Sequence, residues 1–336
     1  MEWRYLGIGI LDMTYLRNNF RGNNFQGNNF RVDFRYASSN EGITLIELMV
    51  AMAVAGIVLM AIYSAYHTQS TIYRTQSVEL AMQQNLRGAV YLLESEIRMA
   101  GYDMNDTGNF GIIDIRFRNI DDDLDLNGNS SITFTSDLDD DGIRDMVADS
   151  DPVTNDIADP GSALPKNEKI SFCIYDNPVA TPDGILDMAR NNGGGRQIIG
   201  ESIVALGLAY AFDNDGDGRL DLSPNGNVIW AIDSDNDNDL DRNLDTNDDG
   251  EIDDVDDTNG DGIIEGTALG TNVAVGNIRA VKSWILARTK TPMLKYLDNN
   301  TYVVGNRRIS PTALGTRNYK HQLLVSTNNC RNLGMQ

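Results

Sequence analysis

The 24 residues from Ile43 to Tyr66, ITLIELMVAMAVAGIVLMAIYSAY, contain one charged side chain, Glu47. This run restricts the possible folds more than any other stretch. A helix needs about 20 apolar residues to cross a hydrocarbon core, so residues 43–66 are long enough to span a membrane. A lone carboxylate there costs about 2.5–3.5 kcal/mol at mid-bilayer. Glu47 is therefore expected near an interface or beside a partner. The upstream arginines Arg17, Arg21, Arg31 and Arg35 predict a cytoplasmic N-terminal flank and an exported C-terminal side.

The apolar run has one internal glycine, Gly56, and no proline, and it passes directly into an amphipathic stretch. There Met82, Leu86, Val90, Leu93 and Ile97 recur at three- and four-residue steps, which marks one face of an α-helix. Arg98 falls in the last turn and Gly101 follows as a C-cap. The spacing predicts one helix from about Ile43 to Met99, with residues 67–101 packing on a soluble head formed by 102–336. Past Gly101 the pattern changes to short runs rich in β-branched and aromatic residues. SITFTS, KISFCIYD, IVALGLAYAF, NVIWAID, AVKSWILART and KHQLLVSTN read as strands. The expectation is an α+β domain, an antiparallel sheet covered by the helix face.

Residues 1–42 differ from the rest. RNNFRGNNFQGNNFR at 17–31 repeats a five-residue unit without any core-building period. The whole chain of 336 residues carries a net charge of −22, the wrong sign for binding phosphate backbones, so nucleic acid is not expected as a direct partner. Its two cysteines, Cys173 and Cys330, both follow the apolar run. An oxidising compartment would permit a disulfide between them; two small buried thiols is the other reading.

Residues 213–265 hold 19 Asp and Glu against two Arg and no Lys. Blocks of like charge are usually solvated loops, but the spacing here is regular. Units begin at Asp233, Asp245 and Asp257, and a fourth copy begins at Asp213. Positions one, three and five are Asp213/Asp215/Asp217, Asp233/Asp235/Asp237, Asp245/Asn247/Asp249 and Asp257/Asn259/Asp261. Position six is Gly218, Asn238, Gly250 or Gly262, and position eight is Leu220, Leu240, Ile252 or Ile264. Position nine is Asp221, Asp241, Asp253 or Glu265. Alternating oxygen donors, a turn residue at six and an apolar anchor at eight follow the grammar of an EF-hand loop. Glu251 would add a backbone carbonyl and Asp256 a twelfth-position carboxylate, while Leu244 and Ala268 replace that ligand in two neighbours. Flanking helices are not expected. The loops therefore look like tandem extracellular calcium loops, similar in ligand pattern to thrombospondin type 3 or dockerin repeats, with dissociation constants on the order of 10⁻⁴–10⁻³ M. Weaker copies fall at Asp137, Asp139, Asp141 and Asp145, where Arg144 takes the anchor position, and at Asp123, Asp125 and Asn127. Solvated turns are the alternative for these two.

The residues GITLIELMVAMAV resemble the class III signal of type IV prepilins, and AMQQNLRGAVYLLESEIRMAGYD is similar to the corresponding stretch of PilW-like minor pilins. The resemblance implies the pilin fold and cleavage by prepilin peptidase between Gly42 and Ile43. It also implies N-methylation of Ile43, with Glu47 paired to the amino terminus of a neighbouring subunit and setting axial register. It further implies an inner-membrane precursor with a periplasmic head, later a pilus subunit at or near the tip. Other minor pilins, the major pilin and a tip adhesin would be its partners. A 42-residue leader is long for the family, and a start at Val32 would give one of ordinary size. A type II secretion pseudopilin shares the same N-terminus. An anchored calcium-dependent adhesion module that never polymerises is the reading from another class. No catalytic constellation is found: His67 and His321 have no zinc spacing, and NNGGGR at 191–196 lacks a phosphate-loop ending. The chain is read as not an enzyme.

Overall fold

The computed structural model describes residues 42–116, 129–140, 142, 144, 168–175, 186–192 and 195–334. The leader and its repeat, and the weak loop at Asp123, lie outside these residues, apart from Gly42 at the leader's end. One helix, α1 (Leu45–Met99), runs for 55 residues as the apolar and amphipathic patterns predict. The chain divides into two compact units at Tyr63/Ser64, within this helix.

In the first unit the helix is apolar on every side, and its side chains stay exposed: Ile57 is 71% and Met60 74% accessible. A helix that is hydrophobic all round belongs in lipid or in a packed bundle. By length and composition it is able to cross a membrane.

In the second unit the same helix buries one stripe: Met82, Leu86, Ala89, Val90, Leu93 and Ile97. All five positions expected from the spacing are included. Burial of each large aliphatic side chain here contributes about 1.5–3 kcal/mol. Gly101 takes φ +73° and donates its N–H to Thr135 O at 2.9 Å, so the helix ends where a left-handed residue is tolerated. The Arg190–Glu96 and Lys320–Glu79 ion pairs, at 2.9 and 3.0 Å, tie the helix to the head.

Among the described residues the strands form two larger antiparallel sheets and a hairpin, where one sheet was expected. The first takes β1 (Ile112–Arg116), β2 (Ser131–Thr135), β3 (Lys169–Tyr175), β4 (Asp187–Asn191) and β5 (Arg196–Gly200) in sequential order. The second contains β6 (Ile203–Phe212), β7 (Ala231–Ile232), β8 (Asp239–Asn243), β9 (Thr267–Ala274), β10 (Ile278–Arg288) and β13 (His321–Asn329), ordered β13-β10-β6-β7-β8-β9. A small hairpin pairs β11 (Tyr302–Val304) with β12 (Arg307–Ile309). The run NVIWAID yields only the two residues of β7, because Leu222 and Val228 form a separate bridge before it.

Both faces of the second sheet are covered. Leu206, Leu208 and Tyr210 of β6 join the helix stripe and the first sheet in one cluster. Ala205, Ala209 and Ala211 turn to a second cluster with Trp230, Trp284, Ile252 and Ile264. Alternation therefore disappears from IVALGLAYAF, since a strand buried on both faces has no polar side. Gly207 of β6 is needed for a close approach: a Cβ there would lie 2.3 Å from the backbone nitrogen of Gly305 in the hairpin turn.

Candidate functional site

The helix start is built by a capping box. Thr44 precedes the first helical residue, and its Oγ1 accepts the Glu47 N–H at 3.3 Å. Glu47 Oε2 in return accepts the Thr44 N–H at 3.0 Å and the Thr44 hydroxyl at 2.9 Å. The T-x-x-E spelling of such a box is present in GITLIE, and it identifies a local partner for Glu47 that the charge argument alone missed. Oε1 of Glu47 has no hydrogen bond among the described residues.

The aspartate loops grow out of the second sheet. Asp213 follows β6 directly, the Asp233 loop connects β7 to β8, and Asp245 comes two residues after β8. In each loop the position-one carboxylate is buried: Asp213, Asp233, Asp245 and Asp257 are 4%, 2%, 3% and 7% accessible. In each, the position-six N–H donates to its Oδ2, from Gly218, Asn238, Gly250 and Gly262 at 2.9, 2.8, 2.8 and 3.0 Å. Position six has positive φ in all four, as expected, and so has position four: Gly216, Asn236, Asp248 and Gly260. That second left-handed turn was legible too, since all four are residue types that tolerate it. Leu240, Ile252 and Ile264 are buried as anchors, and Leu220 packs against the cluster that holds Ile252 and Ile264.

The four loops differ in what they could hold. One oxygen each from Asp213, Asp215 and Asp221 lie within 4.8 Å of one another, and likewise from Asp233, Asp235 and Asp237. Ligands on opposite sides of a metal ion with oxygen bonds of about 2.3–2.6 Å lie about that far apart, so both sets could hold a metal ion. Each set contains three of the four carboxylates expected as ligands of its loop. In the first loop Asp221 at position nine belongs to the set, and Asp217 at position five stands outside it. Asp217 is exposed, and its Oδ1 accepts the Arg219 N–H at 2.8 Å, so that carboxylate holds its own turn. In the second loop the omission is reversed: Asp237 at position five belongs to the set and Asp241 at position nine does not.

Burial pushes the Asp233 carboxyl up to about 6, against the N–H donors of Asn238 and Asn236. At Asp213 burial acts the same way, yet the N–H groups of Gly218 and Gly216 and nearby Arg279 hold the group below its ordinary range. Position nine closes back on position two: Asp241 accepts the Ser234 N–H at 2.7 Å and Asp221 that of Asn214 at 3.4 Å.

The third loop has Asn247 in place of a carboxylate, with Asp249 and Glu251 exposed. Asp256, expected as its twelfth ligand, is buried and clamps the loop's backbone. Its Oδ1 accepts Thr246 N–H at 2.6 Å, and its Oδ2 accepts Asp253 N–H at 2.9 Å in a capping box with Asp253. In the fourth loop Arg308 donates to Asp257 Oδ2 at 2.9 Å and holds that carboxyl below the usual range. A guanidinium thus supplies positive charge at that position-one aspartate. Asn259, Asp261 and Glu265 remain exposed there, with Asn259 donating to Glu265 at 3.3 Å. Neither the Arg308 pairing nor the Asp256 clamp had a signal at loop spacing.

Asn238 explains why one loop lacks glycine at position six. Its amide accepts the Ile115 N–H at 3.0 Å and donates to Ile113 O at 2.9 Å, joining the loop to β1 of the other sheet. Of the weaker set, Asp137 is buried and Asp139 half-buried just after β2, whereas Asp141 and Asp145 lie outside the described residues. Cys173 and Cys330 are both buried free thiols. Burial pushes each up to about 12, so both are protonated at neutral pH.

His321 sits in a chain of polar groups. Its Nδ1 lies 3.0 Å from Asp298 Oδ2 and its Nε2 lies 3.2 Å from Thr316 Oγ1. The side chains of His321 and Asp298 are wholly inaccessible to solvent, so the chain is a strut in the head and out of reach of a substrate. Burial lowers the His321 pKa and outweighs the attraction of Asp298, leaving a neutral ring that donates from Nδ1 and accepts at Nε2. A lowered folded-state value means stability is full above the unfolded value of about 6.5 and is lost as pH falls below it. We expect the melting temperature to drop between pH 7.5 and 5.5, and His321→Gln to flatten that slope in thermal melts. An unchanged slope would remove His321 from the acid response.

Residues 37–63 match the prokaryotic N-terminal methylation motif. The chain thus carries the signal of proteins processed and methylated at the head of an apolar helix. Among solved structures, the fold is similar to a type IV-like pilin from Thermus thermophilus, at 10% identity and a TM-score of 0.32, over 75% of this chain and 97% of that one. That likeness is too distant to bear on function. No curated protein matches the chain.

Proposed function

We propose that this chain is a PilW-like minor pilin of a type IV pilus, held in the inner membrane by residues 43–66 before assembly and by the same helix in the filament core afterwards. The observation that carries the reading is the start of α1: the methylation motif, a capped glutamate and an apolar helix with no cover in its own unit. Glu47 caps its own helix through Oε2, which leaves Oε1 for the positively charged amino terminus of a neighbouring subunit. Two such charges satisfy each other only in the correct axial register, and either alone is penalised in an apolar bundle. Cleavage after Gly42 and methylation of Ile43 by prepilin peptidase supply that amino terminus. The head faces the periplasm and then the pilus tip, where it primes or caps assembly with other minor pilins and supports adhesion. Calcium in the Asp213 and Asp233 loops stiffens it, while Arg308 takes over part of that role in the fourth loop.

Two measurements test this. The mass of the protein from its native membrane should correspond to a chain beginning at N-methylated Ile43. Glu47→Gln should be cleaved normally yet fall at least about tenfold in sheared filaments, since an unmatched buried amine costs several kcal/mol. Undiminished filament incorporation of that variant would defeat the register role, and a chain retaining residues before Ile43 would leave an anchored calcium-binding protein instead.

A further inference from the structure

A further acidic cluster lies on the other sheet, between Asp137 and Glu168 and so well before the loops of 213–265. One carboxylate oxygen each from Asp137, Asp139 and Glu168 lie within 4.8 Å of one another. Unlike the loops above, two of the three groups are shut away from water: Asp137 is 1% and Glu168 0% accessible. Asp137 Oδ2 accepts the Gly142 N–H at 3.1 Å, the same contact that shapes the other loops. Asp137 Oδ1 is sealed from solvent and has no hydrogen-bond partner among the described residues. A buried carboxylate oxygen with nothing to bond is a costly arrangement, and a second carboxylate beside it makes it costlier.

We propose that Asp137, Asp139 and Glu168 bind a hard divalent cation, calcium by its fit to the all-oxygen donor set, at the junction of β2 and β3. The ion would supply a partner for Asp137 Oδ1. Glu168 enters from the residue just before β3, where its Oε1 is oriented by the Leu138 N–H at 2.7 Å. The backbone already closes at this point, through Ser136 N–H to Glu168 O at 3.2 Å. An ion here therefore clamps both ends of the long connection between the two strands. Thiolate and imidazole ligands are missing from the set, which disfavours zinc and copper. Three converging carboxylates exceed what Mg²⁺ ordinarily takes from protein alone. The site depends neither on filament assembly nor on ions in the loops of 213–265.

The test counts calcium bound by the full-length protein in detergent. Glu168→Gln keeps the shape and removes one charge; the folded variant is expected to bind one ion fewer per chain than wild type, with the remaining sites unchanged. An equal ion count in a folded Glu168→Gln overturns the proposal. Anomalous scattering from calcium-loaded wild-type crystals decides the matter if the variant does not fold. A peak within about 3 Å of Asp137 Oδ1 supports the site, and peaks confined to 213–265 overturn it.

Discussion

Chelating calcium with EGTA is expected to lower the melting temperature of the head by on the order of 10 °C. The position-one aspartates are buried by neighbouring side chains while positions three and five face solvent, so without an ion the Asp233 loop above all, whose first aspartate has among the described residues no guanidinium like that of Arg308 at Asp257, concentrates negative charge at a desolvated site. The raised value of Asp233, about 6, reflects that unfavourable setting. An ion bound only by the folded chain stabilises it by RT ln(1 + [L]/Kd). For constants on the order of 10⁻⁴–10⁻³ M, about 10 mM calcium contributes roughly 1.4–2.7 kcal/mol per occupied loop. Two loops then add about 3–5 kcal/mol, and each kcal/mol moves the midpoint by about 2–4 °C in a domain of this size. Because the Asp233 loop joins β7 to β8, the loss should begin in β7, β8 and β9, and hydrogen exchange would find it there first. Magnesium should restore little. Identical melts in calcium and EGTA would reduce the loops to charged turns held by their own hydrogen bonds.

Gly207→Ala is expected to destabilise the head by more than about 3 kcal/mol, the upper range for overpacking. The added Cβ would meet the Gly305 nitrogen at 2.3 Å and its Cα at 2.6 Å. Both obstacles are backbone, so no side chain can swing aside. Neither partner can retreat. Gly207 lies opposite Trp284 in the ladder between β6 and β10, and Val304 and Ile309 seat the hairpin in the second hydrophobic cluster. Gly276→Ala, where a Cβ meets nothing within 4 Å, is the control and should melt like wild type. Equal melting of the two variants would show that the hairpin does not rest on β6.

Much of this was legible locally. The helix and its buried stripe follow from apolar spacing, because contacts along a helix join residues three and four apart. The loops follow from Asp, Asn and Gly placement, because a turn that wraps one carboxylate is decided within six residues. Which of the outer carboxylates then converge was not legible: Asp217 and Asp237 hold the same position, yet only Asp237 joins its set. Five of the six expected strands are present at nearly the expected bounds. Strands β1, β4, β5, β8, β9, β11 and β12 were missed because they are short, polar or interrupted; DLDRN of β8, for example, reads as part of an acidic loop.

The sequence by itself determined the methylation motif, the long helix with its two chemically distinct halves, and the repeated oxygen-ligand loops. Only the tertiary structure decided that the strands divide into two sheets and that Asn238 reaches β1 across 123 and 125 positions. It also decided that Arg308 meets Asp257 from 51 positions away, and that Glu168 completes a cluster with Asp137. The division has a physical cause. Helix faces and turns are settled by neighbours a few bonds away, whereas a buried charge finds its partner only once the chain has collapsed and brought distant segments into contact.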